Sequence, residues 1–142
     1  VLEGAMNAHA RVAALASLAV CLMLGGCNEG KATREVSVGN LGNSEHGRQL
    51  IASYGCGACH MIPGVRGARG RVGPPLLYFS ERTMIAGELP NTPPNLTKWI
   101  QHPKSVEPKT AMPELGVTQD EANDIAAYLY TLRGREGSSW ID

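Results

Sequence analysis

The 142-residue chain is short of aromatic residues, of net charge and of long apolar runs, and each shortage excludes something. Two Trp, four Tyr and one Phe are few anchors for a hydrophobic core, so another apolar body is needed to fill one. Thirteen basic side chains balance thirteen acidic ones, which removes the electrostatic footprint of a nucleic-acid binder. The uncharged stretch at residues 12–24 would make a helix of roughly 20 Å, too short for the ~30 Å hydrocarbon core of a membrane. The length fits one small domain rather than two. Gly and Pro, by contrast, are abundant: seventeen and nine of them predict long loops and turns, while 43% apolar residues argue against disorder.

Arg11 followed by residues 12–24 reads as the positive flank and apolar core of a signal peptide. Leu24-Gly25-Gly26-Cys27 resembles the lipobox of bacterial lipoproteins, which implies diacylglycerol transfer to the Cys27 thiol and cleavage before it. The plainer alternative is an ordinary cleaved signal peptide that contains a Cys. The lipobox reading assigns residues 1–26 to the signal peptide, a lipid anchor to Cys27, and residues 27–43 to a tether whose contour exceeds ~50 Å at ~3.3 Å per residue. It places the protein in the bacterial cell envelope, on the outer (periplasmic or extracytoplasmic) face of the membrane, held by acyl chains worth ~0.8 kcal/mol per buried methylene.

Four cysteines then have separate fates. Cys21 leaves with the signal peptide and Cys27 carries lipid, so only Cys56 and Cys59 remain for the domain. A disulfide across two intervening residues would close too short a loop to stabilise much. Residues 56–60 read Cys56-Gly57-Ala58-Cys59-His60, the C-x-x-C-H pattern of covalent haem attachment. Two thiols at this spacing can add to the two vinyl groups on one porphyrin edge while His60 turns its imidazole under the iron. A thioredoxin-like redox pair would need a βαβ pattern, and the Gly-, Pro- and Arg-rich stretch after His60 has none. A zinc site would need His46 and His102, which lack the paired spacing of zinc modules.

Haem iron needs a sixth ligand or an open position. Met61 adjoins His60 and cannot reach the opposite face; Met84, His102 and Met112 are the candidates. Met112 stands in Thr110-Ala111-Met112-Pro113, where the following Pro favours extended backbone that presents a thioether from a loop. Met84 reads as a helical core position and His102 as a helix end before Pro103. Met112 is therefore the expected ligand.

At this point the chain resembles the class I cytochromes c, and most closely the cytochrome c domains attached to subunit II of some bacterial haem-copper oxidases. The resemblance covers roughly residues 44–133. It rests on Cys56-Gly-Ala-Cys-His60, Gly73-Pro74-Pro75-Leu76, Arg82, Asn95-Leu-Thr-Lys-Trp99-Ile-Gln-His-Pro103, Met112-Pro113 and Ala126-Ala-Tyr128-Leu129. It implies an all-α cytochrome c fold of three to five helices and long loops wrapped around one covalently attached haem c. It further implies that the Pro74 carbonyl accepts a hydrogen bond from His60, that Arg82 faces a haem propionate, that Trp99 lies on a helix packed over the haem, and that Thr110 lies near a propionate or the Met112 loop. The loop at residues 61–71, rich in Arg and Gly, departs from the usual single-domain pattern.

Three helices are legible within a domain at residues 44–135, followed by a tail at 136–142. Ser44 reads as the N-cap of a helix through about Tyr54, with Gly47, Leu50 and Ile51 on one face. A second runs over residues 96–101. The third is capped by Thr118 with Glu121 three residues on, carries the stripe Ile125, Tyr128, Leu129 and Leu132, and stops near Gly134. The resemblance implies that the first and last helices cross, with Gly47 beneath Tyr128.

With His60 and Met112 both on the iron, no position is left for a small-molecule substrate, so the expected work is outer-sphere electron transfer by a carrier rather than catalysis. The expected partners are a quinol-oxidising complex and a terminal oxidase of a respiratory chain. The alternative is a fixed electron-transfer subunit of a periplasmic dehydrogenase or photosynthetic reaction-centre complex. Arg66, Arg69 and Arg71 either dock an acidic partner or form a solvated loop.

Overall fold

The computed structural model describes residues 41–134, and their regular structure is carried mainly by α1 (Ser44–Ser53), α2 (Pro93–Gln101), α3 (Pro103–Val106) and α4 (Gln119–Thr131). The signal peptide, Cys27, most of the tether and the tail at 136–142 lie outside the described residues. Between α1 and α2 come two short 3₁₀ turns, Cys56–Ala58 and Phe79–Glu81, and a hairpin of two-residue strands, β1 (Met84–Ile85) and β2 (Leu89–Pro90). The fold is all-α apart from that hairpin. No helix among the described residues is long and apolar enough to cross a membrane.

Helix α1 begins one residue earlier than a Ser44 cap would place it. Asn43 is the cap, its side chain accepting from the His46 N–H at 3.0 Å, so Ser44 is the first helical residue. The Asn43 N–H in turn donates to Asp124 at 2.6 Å, and Leu41 packs against the core, so the last residues read as tether belong to the domain. Helix α4 has the capping box its sequence predicts: the Thr118 hydroxyl accepts from the Glu121 N–H, and the Glu121 carboxylate accepts from the Thr118 N–H at 2.9 Å. Ile125, Tyr128 and Leu129 are buried as expected, but the helix ends at Thr131, short of Gly134.

The crossing of α1 over α4 organises the core. Gly47 is buried where the helices touch, but against Asp124 and Ile125 rather than Tyr128: a Cβ on Gly47 would stand 1.9 Å from the Asp124 carbonyl oxygen. Tyr128 lies a turn further on and donates its hydroxyl to the Pro63 carbonyl at 2.5 Å, tying down the loop at 61–71. That loop is ordered by its own bonds, including a bridge between Met61 and Arg69 and an Ile62 N–H to Ala68 carbonyl bond of 3.1 Å.

Two expectations are corrected by the middle of the chain. Helix α2 starts at Pro93, not Leu96, because Pro93 and Pro94 occupy its first two positions, where their fixed φ suits the first turn and no N–H is needed. After His102 the chain enters one further helical turn, α3. Met84 is not a helical core residue: it lies on β1 and is 42% exposed. Ala86 and Gly87, both with positive φ, close the hairpin, a geometry whose twist suits paired strands.

Two carboxylates clamp the α1–α4 seam. Asp124 accepts from His46 at 2.6 Å and from the Asn43 N–H, and these bonds hold its pKa below the ordinary range. Glu121 is lowered mainly by the backbone and hydroxyl of Thr118 and then by the Tyr54 hydroxyl, which donates to it at 2.8 Å. A carboxyl depressed in the folded state stabilises it fully above the unfolded pKa, about 4, and that stability is lost as pH falls through the depressed value. The denaturant midpoint should therefore hold steady down to about pH 5 and drop below about pH 4. Asp124→Asn should flatten that acid limb; an unchanged limb would count against the clamp.

Candidate functional site

The turn Cys56–Ala58 follows Gly55, and the N–H groups of Cys59 and His60 both donate to the Cys56 carbonyl, at 3.2 and 3.0 Å. This tight coil turns Cys56, Cys59 and His60 into the wall of one cleft of about 640 Å³, which Trp99 and Met112 also line. That volume lies within the ~300–1,000 Å³ typical of cofactor sites. An adjoining apolar recess of about 70 Å³ shares Cys56, His60, Trp99 and Met112 and reaches Ile51 and Leu129 in the core.

Both thiols are free and half-buried. Burial pushes the Cys56 thiol up, the opposite of the lowered pKa that activates a redox dithiol. Among the described residues no three His, Cys, Asp or Glu side chains gather as metal ligands.

His60 Nδ1 lies 2.8 Å from the Pro74 carbonyl oxygen. A carbonyl can only accept, so Nδ1 carries the proton and Nε2 keeps its lone pair free to bind a metal. Gly73 makes room for this arrangement: a Cβ there would lie 2.3 Å from His60 Cε1.

Arg82 stands on the cleft wall, its guanidinium 5.4 Å from the centroid of the Phe79 ring. Its Nη2 donates to the carbonyls of Pro75 and Leu77, the latter at 3.2 Å, and burial pushes its pKa down. The other guanidinium N–H groups have no protein acceptor among the described residues. Thr110 also lines the cleft, and its hydroxyl accepts from the Met112 N–H at 3.2 Å, so it fixes the backbone of the methionine loop.

The other ligand candidates separate by position. His102 is exposed between α2 and α3 and lines neither the cleft nor the recess. Met84 lines only the outer cleft, whereas Met112 lines both chambers.

A family model for cytochrome c matches residues 44–133. The chain belongs to the cytochrome c family. Two curated relatives are both named cytochrome c oxidase subunit 2. That of Alkalihalophilus pseudofirmus is 33% identical over 94 residues, covering 66% of this chain and 27% of its own length. That of Bacillus sp. (strain PS3) is 32% identical over 89 residues, covering 60% of this chain and 25% of its own. The cytochrome thus spans about a quarter of the length of these relatives, and no solved structure gives a significant match.

Membership makes the cytochrome an electron carrier with covalently attached haem c. The cleft fits that group. Its walls supply two thiols for thioether bonds, an imidazole of fixed tautomer, a thioether, an apolar surround and guanidinium N–H groups suited to a carboxylate. This also answers the shortage of aromatics, since a macrocycle takes the place of aromatic core. Phe79, the one phenylalanine, is 5% exposed and lines both chambers, yet nothing in its sequence context marks it. Scarcity was the available signal: in a chain with one Phe, that residue has to serve the principal core.

Proposed function

We propose that this cytochrome holds a single haem c on Cys56 and Cys59, ligated by His60 and Met112, and passes single electrons on the outer face of a bacterial membrane to which Cys27 anchors it. One observation carries the reading: a single cleft brings the C-x-x-C-H turn together with Met112, a residue more than fifty positions away in the chain. When bound, the haem iron supplies a one-electron couple. The chain's part is to hold and tune. Pro74 orients His60 and raises its basicity, Thr110 fixes the loop that presents Met112, Arg82 offers donors to a propionate, and Trp99 with Leu76 and Phe79 excludes water. With His60 and Met112 both holding the iron, no position would be left for a substrate, and the group would supply electron transfer.

The partner we favour is a terminal oxidase, fed by a quinol-oxidising complex. Support comes from the relatives, whose printed name is that of an oxidase subunit. It comes also from Arg66, Arg69 and Arg71, three exposed cations with no acidic partner among the described residues. They sit on a loop bonded to the haem motif through Gly70 N–H to Gly57 carbonyl, a charge an acidic acceptor would complement.

Mass spectrometry tests this on protein from a host competent for haem attachment. The tryptic fragment spanning Cys56 and Cys59 should carry a tetrapyrrole, and the intact membrane-fraction chain should begin at Cys27 with added acyl mass. A colourless protein would overturn the haem assignment, and an unacylated chain the anchor. A stoichiometric complex that survives purification would replace the mobile shuttle by a fixed subunit.

A further inference from the structure

A buried polar chain runs from α4 to the turn Phe79–Glu81 and on to Pro75. Tyr130, 2% exposed, donates its hydroxyl to Asn91 Oδ1 at 2.9 Å. Asn91, 9% exposed, donates its side-chain amide to the carbonyls of Phe79 and Arg82, each at 3.0 Å, and its own N–H to Thr83 at 2.9 Å. The two amide bonds therefore grip both ends of the segment Phe79–Arg82, one end on the cleft wall and the other bearing the guanidinium. Arg82 continues the chain to the Pro75 carbonyl, next to the Pro74 carbonyl that orients His60. Phe79 is pinned a second time by Tyr130, ring edge to ring face, with centroids 6.0 Å apart.

We propose that Asn91, held by Tyr130, is a positioning residue: it fixes Arg82 in the cleft wall and, through Arg82, the Pro74–Pro75 turn beneath His60, and thereby tunes the redox potential. This rests on the cleft being the haem site.

The physical argument has three parts. Asn91 spends both amide donors on the Phe79 and Arg82 carbonyls and its oxygen on Tyr130, so its side chain is fully bonded and holds one orientation. Burial pushes Tyr130 up to about 12, so its hydroxyl remains a donor to Asn91 at any working pH. A cation fixed at the cleft disfavours the extra positive charge of the ferric state, and in a half-buried setting its displacement by a few ångströms matters.

The test is a double-mutant cycle read by redox titration of the holoprotein. Arg82→Gln should shift the Fe(III)/Fe(II) ratio at a fixed potential toward ferric by about tenfold, about 59 mV for a one-electron couple. Asn91→Ser and Tyr130→Phe should shift it the same way by about threefold each. Either change made on top of Arg82→Gln should add almost nothing, because the group they position is gone. Shifts that add independently to Arg82→Gln, or potentials that stay at the wild-type value, would overturn the proposal and leave Asn91 a stabilising residue only. Exchange of the His60 Nδ1 proton in the ferrous protein, followed by NMR, should quicken in the Asn91 and Tyr130 variants. Should Asn91→Ser fail to accumulate with haem, Tyr130→Phe, which removes a single oxygen, decides by the same criteria. Wild-type protein without bound haem would instead refute the reading of the cleft.

Discussion

Met112→Ala should abolish the weak ferric band at the red end of the visible spectrum and lower the potential by roughly 100 mV or more, each 59 mV being a tenfold change in the Fe(III)/Fe(II) ratio. The thioether prefers the ferrous ion, and none of the other ligand candidates is placed to substitute. His102 faces solvent, Met61 adjoins His60 in sequence, and Met84 stands at the outer cleft on β1. The backbone of the Met112 loop should survive the change, because Pro113 and the Thr110 hydroxyl constrain it independently of the side chain. The ferrous variant should therefore bind carbon monoxide at neutral pH, and the native protein should not. Retention of the band, or tight carbon monoxide binding by the native protein, would show that the thioether is not the ligand. Met84→Ala serves as the control and should leave the spectrum unchanged.

Gly47→Ala should cost roughly 3 kcal/mol or more, at the upper end of what overpacking a single site costs. The added Cβ would meet Asp124 O at 1.9 Å, Asp124 C at 2.4 Å and Ile125 N at 2.9 Å. All three are backbone atoms inside α4, and none can rotate aside. Relief requires α1 and α4 to separate, which loosens Ile51 from Ile125 and Leu129 and strains the bonds from His46 and Asn43 to Asp124. For a domain near 90 residues, where 1 kcal/mol moves Tm by about 4–8 °C, the melting temperature should fall by more than about 12 °C. Gly47→Val should not accumulate as folded holoprotein. A fall of less than about 4 °C for Gly47→Ala would show that the seam can open at little cost.

Much of the site was legible because its chemistry is local. Cys56, Cys59 and His60 are adjacent, and Met112 declares itself by the Pro113 that follows it. The capping box of α4 is likewise a four-residue pattern, and it forms as written. Errors fell where the deciding partner is distant. Asn43 displaced Ser44 as the cap of α1 because the Asn43 N–H is also claimed by Asp124, 81 positions away. Met84 looked helical because apolar neighbours at 84 and 85 suit either structure; the left-handed residues Ala86 and Gly87 turned them into a strand. The sequence alone places the second helix at residues 96–101, whereas Pro93 and Pro94 form the first turn of α2.

By itself the sequence determined the covalent chemistry, the candidate ligands and the apolar stripes of the first and last helices, since these depend on residue type and short spacing. Only the tertiary structure decided that Gly47 lies beneath Asp124 and that Met112, rather than Met84 or His102, shares both chambers with His60. It alone joined Tyr130 and Asn91 to Arg82. The reason is physical: these contacts join residues tens of positions apart, and helix packing and loop closure settle them together, so no window along the chain contains them.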